Sequence, residues 1–330
     1  MQNYEEIKNI LGPLRVRENE LLSKHTYFKI GGPAKLFFEA TSLEDLKLAL
    51  QTAHDHQIPF IVLGGGANVL VSDKGFDGLV IKNRAVGVKL IGFKGTINKN
   101  GKGIKSALVW AASGTPMNQL ARFTIDQSLA GLEFLLSVPG TVGGGLKINA
   151  HYEVEKGEFI GNRLQSAVLY NPKENELKTE SQAYFSFAYD SSKIQETGQI
   201  VLEAIFRLDK AENASLLWQK AMDDVKRRNS EQPVGIACSG CVFRNISPNN
   251  AVRLSTPKLT TSTGYIIESL GLKGTVYGGA QISDRHANYI LNINNAKATD
   301  VLELIKLVKE KAKNTYGLDL KEEIFYIGNF

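Results

Sequence analysis

Three groups of residues in this chain could do chemistry. The first is Cys238 and Cys241 in C-S-G-C, the two cysteines of the sequence, a spacing that can close a disulfide or supply half of a zinc site. A four-ligand zinc site needs a further Cys or His pair, and His25, His54, His56, His151 and His286 are scattered without ligand spacing apart from His54-Asp55-His56. No short strand and helix flank the motif as a thioredoxin-like site requires, so neither reading is supported. The second group is glycine-rich: Gly64-Gly65-Gly66-Ala67-Asn68, and Gly140 with Gly143 to Gly145 in SVPGTVGGGLKINAH. Two such loops at strand ends bring backbone N–H groups close to a pyrophosphate, because glycine leaves room and permits positive φ. Tight turns or close backbone contacts account for the same composition, and both readings stand at this point. The third group is Glu322 and Glu323, which on a strand face opposite ways and, on residue type alone, read as solvated strand-end acids.

The elements that must position these groups follow from periodicity. Residues 41 to 57 predict an amphipathic helix, with Leu43, Leu46, Ala49, Leu50 and Ala53 at helical spacing and Thr41 with Glu44 as a capping box. The strand Pro59 to Leu63 then runs into the first glycine loop and on to a second apolar run, Val69 to Val71. Strand, glycine loop, strand is not the G-x-G-x-x-G that opens a helix in the Rossmann fold. Residues 86 to 112 predict antiparallel hairpins, Met117 to Gln127 a helix starting at Thr115 or Pro116, and the runs LQSAVLYNP and QIVLEAIFRL two strands. Ser215 to Arg228 predicts a helix ending in the basic cluster Lys226, Arg227, Arg228, and a domain boundary is expected near Glu231-Gln232-Pro233. Beyond it come a helix at Gly264 to Leu270, a strand at Ala287 to Ile293, a long helix at Thr299 to Thr315 and a last strand at Ile324 to Ile327. The fold class is α+β.

A chain of 330 residues, 43% hydrophobic and 22% charged, is neither disordered nor fibrous and is long enough for two or three domains. Its net charge of +5 comes from dispersed basic residues, which suits an anionic small molecule better than a nucleic acid. The longest apolar runs are too short to cross a bilayer, and the acidic N-terminus does not read as a signal peptide, so no membrane association and a cytoplasmic location are expected.

Five motifs carry a family resemblance: HTYFKIGGPA (residues 25–34), LGGGANVLVSD (63–73), GLEFLLSVPGTVGG (131–144), SGCVFRN (239–245) and GGAQISDRHANYILN (278–292). In this order they resemble the MurB family of UDP-N-acetylenolpyruvoylglucosamine reductases (UDP-N-acetylmuramate dehydrogenases), over about residues 21 to 328 and in its compact form. The resemblance implies a vanillyl-alcohol-oxidase (PCMH)-type FAD-binding fold of two subdomains, 1–83 and 84–230, and a C-terminal α+β substrate domain, 231–330. It implies FAD on Gly64, Gly65, Gly66, Ala67, Asn68, Ser113, Gly114, Pro139, Gly140, Thr141, Gly143 and Gly144, with NADPH as reductant. The small-molecule substrate would be UDP-N-acetylglucosamine enolpyruvate, and the protein a monomer in peptidoglycan precursor synthesis. A paralogous FAD oxidoreductase acting on another 2-oxo or 2-hydroxy acid, or a non-catalytic flavin- or nucleotide-binding protein, are the alternatives.

The same resemblance places Cys241 where the family has a proton-donating Ser; a thiol is the stronger acid and is open to oxidation. It places the second catalytic group at Glu323, and Asn245, Lys273 and His286 near the substrate diphosphate, where a Lys acts as a point charge. Lys226, Arg227 and Arg228 could help hold phosphate or simply end a solvated helix. Two stretches depart from the family. Asp190, in Tyr189-Asp190-Ser191-Ser192, stands where the family has an Arg against the flavin and the substrate carboxylate, and His151 with Tyr152 replace small residues. Lys193 or Arg163 is expected to supply the missing cation, oriented by Asp190.

Overall fold

The computed structural model describes residues 4–95, 105–152 and 156–330. The chain divides into two compact units: Met1–Arg17, Phe37–Gly65 and Leu79–Arg228 form one, and Glu18–Leu36, Gly66–Gly78 and Asn229–Phe330 the other.

In the first unit the helix Leu43–Asp55 buries Leu46, Ala49, Leu50 and Ala53 along one face, as their spacing predicts. Each large side chain so buried contributes about 1.5–3 kcal/mol. The cap falls one residue later than expected. Ser42 Oγ accepts the Asp45 N–H, and the Asp45 carboxylate reaches back to the Thr41 N–H and hydroxyl, because the helix begins at Leu43 and not at Ser42. The following strand Phe60–Leu63 lies parallel to Phe76–Asn83, with Phe60 opposite Leu79 and Leu63 opposite Lys82. An antiparallel sheet runs in the order Glu176–Ser181, Leu164–Asn171, Ile200–Lys210, Ser106–Ala112, Val88–Lys94. The last two are the expected hairpin strands, although the link between them, residues 96–104, lies outside the described residues. Ala107, Val109 and Ala111 alternate inward from this sheet against Leu120 and Ala121 of the helix Met117–Asp126 and against Phe134, Leu135 and Leu146. The glycine-rich run after Pro139 forms the short helix Val142–Ile148, an element that its composition hides because glycine is a poor helix former.

In the second unit Ala237–Cys241, Tyr289–Asn292, Ala280–Ile282 and Val276–Tyr277 form an antiparallel sheet in that order. Its Ile290, Ile282 and Ala280 pack with Val301, Leu304, Ile305 and Val308 of the helix Ala298–Tyr316 in one core. That helix is capped from far along the chain: the Asp73 carboxylate accepts the N–H groups of Ala298 at 2.7 Å and Thr299 at 3.1 Å. The terminal strand Phe325–Ile327 pairs in parallel with Val69–Val71, which brings the C-terminal acids to the end of the first glycine loop. Among the described residues no helix is long and apolar enough to cross a membrane.

Candidate active site

The expected cofactor-binding residues of the first unit come together where three chain segments meet. A Cβ at Gly64 would strike the Thr141 hydroxyl, one at Gly65 would lie 2.8 Å from Gly140 Cα, and one at Gly143 would lie 3.0 Å from Ser113 Cβ. These glycines are therefore required by the packing of the loops on one another. Hydrogen bonds lock the same junction: Gly143 N–H donates to Ser113 O at 2.8 Å, Val142 N–H to Thr115 O at 2.9 Å and Met117 N–H to Gly140 O at 3.1 Å. Gly114 N–H donates to Ala85 O, and the buried Asn83 amide donates to Ser113 Oγ at 2.8 Å. Pro139 lies half-buried at the entry to this turn.

Gly144 differs from the others. It is exposed, and a Cβ there would meet only Thr141 Oγ1, at an ordinary 3.7 Å. Close packing explains Gly64, Gly65 and Gly143 but leaves Gly144 without a structural reason. An open glycine beside loops drawn tightly together leaves room for backbone approach by a dinucleotide, so these residues fit FAD.

Lys82 belongs to this junction and escaped the sequence reading, because a lysine at the end of an apolar strand looks like a solvated end. Its side chain is buried, its ammonium donates to Gly64 O at 2.7 Å, and burial, reinforced by Arg84, pulls its pKa down to about 8.

At the far end of the helix Val142–Ile148 lies the departure from the family pattern. Asn149 takes a left-handed φ of 53° and ties the helix to neighbouring segments, its amide donating to Ala188 O at 3.0 Å and its carbonyl accepting the Gly161 N–H at 3.1 Å. Asp190, also left-handed and 3% exposed, has its Oδ1 3.7 Å from His151 Nδ1. The imidazole lies with ring centroids 5.1 Å from both Phe159 and Tyr189. Arg163 is engaged elsewhere, at 2.7 Å from Asp209, and the Lys193 ammonium lies 4.2 Å over the Tyr184 ring. His151 faces Asp190, so the two departures from the family pattern lie in one cluster. Of the basic helix end, Lys226 is exposed, while Arg227 pairs with Asp224 at 3.0 Å and, with Arg228, lies over the Tyr152 ring. Residues 153–155 of the departing stretch lie outside the described residues.

In the second unit Gly66, at φ +74°, accepts the Tyr27 N–H through its carbonyl and leads through Ala67 to Asn68. The Asn68 amide donates to Glu323 O at 3.2 Å, and the Glu323 N–H donates to Val242 O at 2.8 Å. Asn68, Glu323 and the residue after Cys241 are thereby held side by side. Glu322, in an isolated bridge to Phe243 ahead of the last strand, pairs with Lys309 at 2.9 Å. The Asn245 carbonyl accepts the Thr263 N–H at 3.1 Å, at the start of the helix Thr263–Ser269. Lys273 pairs with Glu268 at 2.9 Å. Gly264 leaves the room that His286 occupies, since a Cβ there would lie 2.8 Å from the ring. Burial pushes the His286 pKa down, and the Lys273 charge adds to this. Arg244 is a second residue the sequence reading passed over: its Nε is buried with no hydrogen-bond partner among the described residues, within the same motif as Cys241 and Asn245.

With the geometry in hand, comparison with known proteins decides the family. Residues 232–327 match the model of the UDP-N-acetylenolpyruvoylglucosamine reductase C-terminal domain, and residues 34–177 match an FAD binding domain. The UDP-N-acetylenolpyruvoylglucosamine reductase of Shouchella clausii (strain KSM-K16) is 34% identical, covering 99% of this chain and 97% of that one. This chain belongs to the UDP-N-acetylenolpyruvoylglucosamine reductase family. A family member from Chlamydia abortus is 33% identical over 94% of both chains. The crystal structure of the reductase from Thermus caldophilus superposes with a TM-score of 0.72 at 26% identity, over 94% of this chain and 99% of that one. The fold is accordingly α+β, a vanillyl-alcohol-oxidase-type FAD-binding fold joined to the family's C-terminal domain.

Proposed function

We propose that this reductase-family protein is the FAD-dependent oxidoreductase that reduces UDP-N-acetylglucosamine enolpyruvate to UDP-N-acetylmuramate for peptidoglycan synthesis, using NADPH, as a cytoplasmic monomer. The observation that carries the chemistry is the backbone bridge that seats Glu323 beside Val242 and Asn68, next to Cys241. FAD, when bound, supplies a two-electron carrier between NADPH and the β-carbon of the enol ether. Gly64 to Asn68, Ser113, Gly114 and Pro139 to Gly144 are the residues that would hold it. Cys241 gives its thiol proton to the α-carbon, completing saturation of the double bond, and a thiol is a stronger acid for that transfer than a serine hydroxyl. Glu323 is the second catalytic group at the same strand edge, and Asn245, Lys273 and His286 receive the substrate diphosphate. Arg244, with its buried nitrogen, adds a cation to that set. Asp190 acts with His151.

The test is anaerobic visible absorption of the purified protein. Bleaching by NADPH followed by recovery on adding the enol ether is expected. Bleaching without recovery would favour another electron acceptor, and the absence of any flavin would remove the assignment of both glycine loops.

A further inference from the structure

The strand that carries Cys241 also carries Cys238, and the pairing of this strand determines where the two thiols point. On a regular strand, residues three apart face opposite sides of the sheet. Here Ala237 lies opposite Asn292 and Cys238 opposite Leu291, but Cys241 lies opposite Tyr289, with a register shift between the cysteines. Three residues on one strand span two on the other, so a bulge takes up the extra residue. Gly240 sits in it at φ +84°, a conformation L side chains rarely adopt. Leu291 and Tyr289 are two apart and share a face, and directly opposed residues point to the same side. Cys238 and Cys241 therefore lie on one face of the sheet, the face away from Ile290 and Ile282, which belong to the core beneath the helix Ala298–Tyr316. The cysteines' partners Leu291 and Tyr289, two apart, are separated by about 6.6–6.8 Å, so closing a disulfide, which needs Cβ atoms roughly 3.5–4.5 Å apart, draws the two cysteines together at the Gly240 bulge. Both cysteines are thiols and both are partly exposed.

We infer that Cys238 and Cys241 form a peroxide-oxidisable dithiol, and that closing its disulfide withdraws the proton donor from the reaction. The inference rests on Cys241 being that donor. In the first step one thiolate attacks a hydroperoxide, forming an S–O bond as the O–O bond breaks and the remaining oxygen leaves as alcohol or water. In the second, the other thiol attacks the sulfenic sulfur, forming the S–S bond and releasing water, which takes up the thiol proton. Two electrons pass from the sulfurs to the peroxide, and a dithiol reductant reverses the change by exchange.

The experiment treats the flavin-loaded, reduced protein with hydrogen peroxide and reads the peptide spanning both cysteines by mass, alongside turnover. The expected result is loss of two hydrogen atoms from that peptide, turnover at least ~100-fold lower in the oxidised fraction, matching the usual contribution of a general acid, and recovery with dithiothreitol. Cys238→Ser should keep its turnover before treatment and then gain oxygen at Cys241 with no disulfide. A wild-type peptide that only gains oxygen would overturn the dithiol site while leaving the proton-donor reading intact. A disulfide that leaves turnover unchanged would overturn both. The wild-type mass reading needs no variant to fold.

Discussion

Gly144→Ala separates the two reasons for glycine in the cradle. The added methyl would sit 3.7 Å from Thr141 Oγ1, in open space on the helix Val142–Ile148. Replacing a helix-interior glycine by alanine stabilises by about 0.5–1 kcal/mol, so the apoprotein should melt about 1–4 °C higher. The same methyl blocks backbone approach to the cofactor. Losing one hydrogen bond to a charged phosphate oxygen costs about 1.5–3 kcal/mol, which weakens FAD binding roughly 10–150-fold. Gly65→Ala is the control with the opposite signature in stability. Its methyl would lie 2.8 Å from Gly140 Cα, backbone against backbone, so the loops must part and the cost is about 1–3 kcal/mol in the apoprotein itself. Titration of apoprotein with FAD by fluorescence quenching, together with apoprotein melting, reads both quantities. Wild-type FAD affinity in Gly144→Ala would refute the placement of the cofactor on this open face.

Three further outcomes are expected. Lys82 has a folded pKa of about 8, against 10.5 for the unconstrained amine, so between those values the unfolded chain holds more protons. Apoprotein stability should rise across that window by up to about 3 kcal/mol, and Lys82→Met should abolish the rise in urea titrations at pH 7.5 and about 10. Glu323→Gln should cut turnover about 10²-fold or more. Glu322→Gln removes only the ion pair to Lys309 and should cost under about 1 kcal/mol with turnover retained; equal kinetic losses in the two variants would refute the assignment of the catalytic role to Glu323 alone. Asp73→Ala, which uncaps the helix Ala298–Tyr316, should lower stability by about 0.5–2 kcal/mol in denaturant unfolding.

Sequence alone determined most of the local structure and the family. The spacing of Leu46, Ala49, Leu50 and Ala53 defines a helix, the β-branched run at Val69 to Val71 a strand, and the ordered glycine and C-S-G-C motifs the reductase resemblance, because these are written in residues close together along the chain. What tertiary structure decided are relations between distant residues. Whether a glycine is packed or open depends on what another loop brings to it: Gly140 meets Gly65, while nothing crowds Gly144. His151 and Asp190 look like two separate anomalies until the left-handed turns at Asn149 and Asp190 set them 3.7 Å apart. The side on which Cys238 lies depends on a one-residue shift against Tyr289 and Leu291, and a shift of one residue turns a side chain to the opposite face. Pairing register is chosen by the whole buried face of the sheet, and no short stretch of sequence carries that information.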